Sequence, residues 1–159
     1  MLHIDIICVG KLKEKYLKDA ILEYSKRLSK YCILNIIELQ DEKIPDKLND
    51  KISNEIKQKE CNKILSNIKN DSYVIALDLK GKQFSSEEFS KKIENICEFN
   101  SHLTFIIGGS LGLTDNLLNK THEKICFSSM TFPHQLIRIF LLEQIFRAFK
   151  IINNETYHR

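Results

Sequence analysis

Ser110 stands in Gly108-Gly109-Ser110-Leu111-Gly112. That G-x-S-x-G spacing sets a nucleophilic serine on a sharp strand-to-helix turn in hydrolases. An acid and a base could follow it in Asp115 and in His122, His134 or His158. The context argues against that chemistry. An elbow runs directly into a helix, whereas Leu111-Gly112-Leu113-Thr114 intervenes here, and Gly112 weakens a helix start. Asp115 sits about one turn from the serine, with no strand between to place it as a triad acid. A phosphate cradle fares no better. The dinucleotide fingerprint needs G-x-G-x-x-G after the first strand, and the chain has Val9-Gly10-Lys11-Leu12-Lys13 there. No Gly-Lys-Ser/Thr occurs. Two readings of the turn stay open: an ordinary tight turn, or glycines that let the backbone pass close to a ligand or another segment.

Strand and helix patterns alternate around this turn. β-branched, apolar runs at His3–Val9, Ile33–Leu39, Tyr73–Leu79 and Leu103–Ile107 read as strands, with a short fifth at Lys124–Phe127. Leu17, Ile21, Tyr24 and Leu28 have helical spacing. A charged helix is expected to reach about Ile68, with Ile52, Ile56, Ile64 and Leu65 along one face. Gly81 is expected to mark a turn, and Ser85-Ser86-Glu87-Glu88 reads as a capping box. Asp115–Lys120 suits a short helix, and Pro133 suits the first turn of a last one. No repeat, low-complexity segment or linker interrupts the chain, so residues 1–159 read as one domain. The alternation implies an α/β fold with a mostly parallel sheet covered on both faces. Ligands bind such sheets beyond the carboxyl ends of the strands, and Gly108 lies at one.

Composition bounds the surroundings. The chain is 43% hydrophobic and 28% charged, as an ordinary globular domain is. No apolar run approaches a membrane span, and the N-terminus lacks a signal-peptide layout. The five cysteines form no Cys-x-x-Cys pair, so neither a zinc site nor a disulfide framework is expected, and the thiols suit a reducing cytoplasm. Residues 1–31 carry seven Lys/Arg against four Asp/Glu, a basic end suited to a polyanion. Leu136, Ile139, Phe140, Leu142, Ile145, Phe146 and Phe149 occupy nearly every direction of the last helix. Such a helix is covered on more than one side, by a second subunit or by its own domain. A two-fold homodimer is the expectation.

Several segments together resemble a known family. They are Ile7-Cys8-Val9-Gly10-Lys11-Leu12-Lys13, Phe105 to Gly112, Phe127-Ser128-Ser129-Met130-Thr131-Phe132-Pro133-His134-Gln135, the helix positions Arg138, Glu143-Gln144 and Arg147-Ala148, and the closing Tyr157-His158-Arg159. The chain resembles the RlmH family of small bacterial SPOUT-class methyltransferases over its whole length. The resemblance implies a SPOUT-type fold whose C-terminal segment forms a trefoil knot, a homodimer, and S-adenosylmethionine as methyl donor. It implies N3 of a pseudouridine in helix 69 of 23S rRNA as the target. Carried over by position, Leu77, Gly108, Phe127, Ser128, Ser129, Met130, Thr131 and Phe132 would form the cofactor pocket. Of the tail, His158 would remove a proton or orient the base, Arg159 would hold the anionic ring or a phosphate, and Tyr157 would stack or hydrogen-bond. Arg138 is a further catalytic candidate, or else a structural partner of Glu143 or a neighbouring acid. Lys11, Lys13, Lys15 and Arg27 are candidates for the rRNA backbone, or else a solvated face. No metal is required. The rivals to this reading are a serine hydrolase using Ser110 and a non-catalytic ribosome-binding module.

Overall fold

The computed structural model describes residues 1–158; the expectation placed on Arg159 lies outside them. The elements run β1 (Leu2–Val9), α1 (Lys15–Leu28), β2 (Cys32–Leu39), α2 (Asp50–Asn67), β3 (Tyr73–Lys82), α3 (Ser86–Phe99), β4 (His102–Ile107), α4 (Asp115–Asn119), β5 (Glu123–Ile125) and α5 (His134–Ile152). Every pairing is parallel, in the order β2-β1-β4-β3-β5. The central strands β1 and β4 are buried on both faces, which is why they read as unbroken apolar runs rather than alternating ones.

Two apolar layers sandwich the sheet. On one face Ile21 and Leu28 of α1, Phe89, Ile93 and Ile96 of α3, and Leu141, Leu142, Ile145 and Phe149 of α5 pack together. On the other, Cys61 and Ile64 of α2 meet Leu117 and Leu118 of α4. The apolar circumference of α5 is therefore covered largely by α1, α3 and the sheet of its own chain. The inference from that helix to a second subunit loses most of its force. What stays open on α5 is Phe140, 41% exposed.

Helix ends follow local chemistry. Ser85 Oγ accepts from the Glu88 amide at 3.1 Å, and the Ser85 amide donates to Glu88 Oε2 at 2.8 Å, completing the expected capping box. Asn49 Oδ1 caps α2 by accepting from the Ile52 amide.

The expected turn at Gly81 is a correction. Gly81 stays inside β3. Leu77 and Lys82 both pair with Ile125, so Asp78 to Gly81 bow out of the ladder. A Cβ at Gly81 would lie 2.6 Å from the Ile125 carbonyl carbon and 2.7 Å from its nitrogen. Those are backbone atoms that cannot swing aside, so the glycine answers a close crossing rather than a turn. Gly81→Ala should push β5 off β3 and destabilise the fold by about 1–3 kcal/mol. A lowered urea midpoint would show it; an unchanged midpoint would mean the crossing is slack.

Candidate active site

The strand ends β3, β4 and β5 open into a cleft of about 860 Å³. Three loops build it. The bowed end of β3 brings Leu77, Asp78, Leu79 and Lys80. The glycine turn after β4 brings Gly108 to Leu113, and the segment between β5 and α5 brings Phe127, Ser128, Met130, Thr131, Phe132 and Pro133. Seven of the eight residues expected at a cofactor thus meet in one cleft; Ser129 does not line it. Ser128 Oγ accepts from the Met130 amide at 3.0 Å, which folds that last loop on itself. Cys126 donates its thiol to the Ser128 carbonyl at 2.9 Å and anchors the loop's start.

Sequence reasoning missed several lining groups. Ile125 and Ile137 extend the apolar wall, Lys57 reaches in from α2, and Asp78, Lys80, Asp115 and His134 add charge or polarity. Lys80 and Asp115 pair with each other at 3.7 Å. Burial, and then the Arg138 charge, hold the His134 imidazole below its ordinary value of 6.5. Asp115 and His134 drew notice in the sequence for other reasons; the others carry no signature, because each reaches the cleft through tertiary placement.

Ser110 lines the cleft, but its hydroxyl makes no hydrogen bond among the described residues. His122 accepts from the Val74 amide at 2.9 Å and stacks on Tyr73, so it serves β3. Asp115 points to Lys80 rather than to an imidazole. Ser110, Asp115 and His134 all line the cleft, but among the described residues no hydrogen bond links them as a triad requires.

Arg138 does not fit the catalytic role expected of it. It is 1% exposed. One Nη donates to Glu38 Oε2 at 2.8 Å, and the other donates to the Gly10 carbonyl at 2.6 Å and the Val9 carbonyl at 3.4 Å. The same Glu38 oxygen accepts from the Leu12 amide at 2.8 Å. The structural alternative holds, with Glu38 as the acid in place of Glu143. Arg138 binds the N-terminal half of α5 to the ends of β1 and β2, and so positions the loop that precedes α5.

Tyr157 and His158 pack against α5 and α3. Tyr157 donates to Glu143 Oε1 at 3.1 Å, and its ring meets Phe146 edge-on at 5.0 Å. Arg147 donates to both Glu143 oxygens and lies over the Tyr157 ring. Burial and then the Glu143 charge push the Tyr157 phenol up. His158 sits between Arg147 Nη1, 3.2 Å from Nδ1, and Glu87 Oε1, 2.6 Å from Nε2. Because a guanidinium only donates, Nδ1 accepts and the ring proton belongs on Nε2. Glu143, the hub of this network, lines a second hollow of about 330 Å³ with Phe84, Gln144 and Phe140. That hollow shares Phe127, Ser128 and Phe132 with the main cleft. Within one chain, then, Tyr157 and His158 border the second hollow and line neither space directly.

The four basic candidates do not form one patch. Lys11 and Lys13 are exposed on the loop after β1. Lys15 pairs with Asp19 at the start of α1, and Arg27 pairs with Glu23 about 18 Å further along it. Arg27 lies over Tyr24 and Phe146, on the tail side.

Comparison with known proteins places this architecture. A family model described as "Predicted SPOUT methyltransferase" matches residues 2–158. A protein of Clostridium acetobutylicum named "Ribosomal RNA large subunit methyltransferase H" is 60% identical, the match covering 99% of this chain and all of that one. A protein of the same name from Clostridium botulinum strain Eklund 17B is 62% identical with the same coverage. Among solved structures, a probable methylase family protein from Haemophilus influenzae superposes with a TM-score of 0.55 at 14% identity, covering 98% of this chain and 70% of that one, a likeness of fold. A cleft at the strand ends, made of the bowed β3 end, the glycine turn and the loop into α5, is thus carried by a chain that belongs to the SPOUT methyltransferase family.

Proposed function

We propose that this protein transfers a methyl group from S-adenosylmethionine to large-subunit ribosomal RNA, at N3 of a pseudouridine in helix 69 of 23S rRNA. The observation that carries the reading is the meeting of Leu77, Gly108 and the 127–132 segment in one cleft. The name shared by the clostridial relatives supports the RNA substrate.

The cleft fits the cofactor. Its volume suits a ligand of that size. Leu77, Ile125, Phe127, Phe132 and Ile137 offer apolar walls for an adenine, and the loop backbone offers groups for its polar edge. Ser128, Thr131 and Asp78 offer hydroxyls and a carboxylate to a ribose and an ammonium. When bound, S-adenosylmethionine would supply a methyl on a sulfonium whose sulfur leaves as a neutral thioether, a departure that needs no metal.

The chain supplies the rest. An imide nitrogen attacks well only after losing its proton, so a nearby base and a cation speed the step. His158 orients the target base, or takes its proton at Nδ1 once that atom is released from Arg147. Arg147 holds His158 and Tyr157 in place from Glu143, and Arg159 neutralises charge on the ring or a phosphate. Lys11 and Lys13 approach the rRNA backbone.

A homodimer completes the reading. Leu79 and Met130, 60% and 71% exposed, line the cleft and rise at its rim, and Phe140 stands open beside the second hollow. A two-fold partner docked there would cover this apolar rim and stand over a cleft that Tyr157 and His158 of the same chain do not line. A trefoil knot in the segment that forms the cleft's last loop, and work in the cytoplasm where ribosomes are made, belong to the same reading.

Calorimetry with S-adenosylmethionine tests it. Saturable binding of one ligand per chain is expected. No binding would sink the methyltransferase reading, and binding without methylation of ribosomes would leave a non-catalytic ribosome-binding module.

A further inference from the structure

The glycine turn rests on α2. Cys61 Sγ accepts from the Thr114 amide at 3.4 Å, just past the turn. Glu60, buried, stands under Gly109, where an added Cβ would lie 3.1 Å from its Oε1. The Glu42 amide donates to the other Glu60 oxygen at 3.0 Å and fixes the carboxylate. One turn earlier on the same face, by the three-to-four residue rule, Lys57 enters the cleft lining, half-buried.

The ionised groups lining the cleft are Lys57, Asp78, Lys80 and Asp115. Lys80 and Asp115 pair with each other, and Asp78 Oδ2 accepts from the Lys80 amide at 3.0 Å. Lys57 alone has neither an ion pair nor a hydrogen bond among the described residues. Its stem is partly covered while its charge stays free to meet an anion that enters the cleft.

The cofactor's own charges say which part would pair with it. S-adenosylmethionine carries two cationic centres, the sulfonium and the α-ammonium, and a single anionic one, the α-carboxylate. We propose that Lys57 binds that carboxylate, fixing the methionine end of the cofactor beside the Gly109–Gly112 turn. This rests on the reading of the cleft as an S-adenosylmethionine site. Asp78, which also lines the cleft, is left for the ammonium or a ribose hydroxyl.

The test compares two ligands: S-adenosylmethionine, and 5′-methylthioadenosine, a neutral thioether that lacks both the amino-acid portion and the sulfonium charge. Both are titrated into wild type, Lys57→Met and Lys57→Arg, after their ligand-free melting temperatures are shown to match. Lys57→Met should weaken S-adenosylmethionine about tenfold or more, the loss of one charge-assisted bond. Its affinity for 5′-methylthioadenosine should not change, and Lys57→Arg should recover most of the loss. An equal loss for both ligands, or no loss for S-adenosylmethionine, overturns the assignment. Weakened rRNA binding with cofactor affinity intact also overturns it, and gives Lys57 to a phosphate instead. Failure of the underlying reading looks different: wild-type protein would bind neither ligand, and the assignment would fall with it.

Discussion

Deleting Tyr157, His158 and Arg159 should lower methyl transfer to ribosomes by about a hundredfold or more while leaving cofactor affinity unchanged. The split follows from placement. Among the described residues, no hydrogen bond of Tyr157 or His158 involves a residue of the main cleft: Tyr157 holds Glu143, and His158 bridges Arg147 and Glu87. The cofactor walls therefore survive the truncation, and the proton-handling group does not. His158→Ala should reproduce most of the loss. Tyr157→Phe should cost far less, because the ring keeps its edge-on contact with Phe146 and only the bond to Glu143 goes. Terminal residues are often dispensable. Normal turnover by the truncated protein, measured by transfer of a labelled methyl to purified ribosomes, would assign these residues to that ordinary class.

Replacing Arg138 should give the largest stability loss. Arg138→Leu removes the donor to the Gly10 carbonyl and the side-chain cation that pairs with Glu38, both at the strand-end edge of the sheet. Breaking one side of a buried pair costs about 3–5 kcal/mol. Glu38 is 35% exposed and can partly rehydrate, so the lower end, about 3 kcal/mol, is expected. Arg138→Lys should recover only part, since one ammonium cannot span carboxylate and carbonyl as the guanidinium fork does. Urea unfolding gives the value. Cofactor affinity should fall as well, because His134 and Ile137, beside Arg138 on α5, line the cleft. A variant as stable as wild type but unable to methylate would restore the catalytic role for Arg138.

How much of this was legible in the sequence depended on how local the cause was. The capping box at Ser85 involves four consecutive residues, so the sequence displayed it. The central strands are short apolar runs whose pattern needs only their own burial. Gly81 misled because a glycine beside charged residues looks like a turn, and its real cause, the Ile125 backbone, lies 44 positions away. The partner of Arg138 is 100 positions away, and an acid nearer in sequence was the natural guess. The cover of α5 was misjudged for the same reason: α1 and α3 were already in view as helices, but nothing local placed them on either side of it.

The site divides similarly. The G-x-S-x-G match was visible and pointed the wrong way, since neither His122 nor Asp115 turns toward Ser110. The 127–132 segment was found through family resemblance, because Ser, Met, Thr and Phe carry no chemical signature of their own. Lys57 looked like one lysine among many on a charged helix, and only the packing of α2 beneath the glycine turn separates it from the rest.

The central claim is methyl transfer to one nucleotide of large-subunit RNA. The most direct measurement incubates purified protein with isotopically labelled S-adenosylmethionine and ribosomes from cells lacking this gene, then maps the label by mass spectrometry. The account predicts one labelled methyl in 23S rRNA, on N3 of a pseudouridine in helix 69, and none when the cofactor is omitted. Label at another nucleotide, label in ribosomal protein, or no label with the cofactor bound would contradict it.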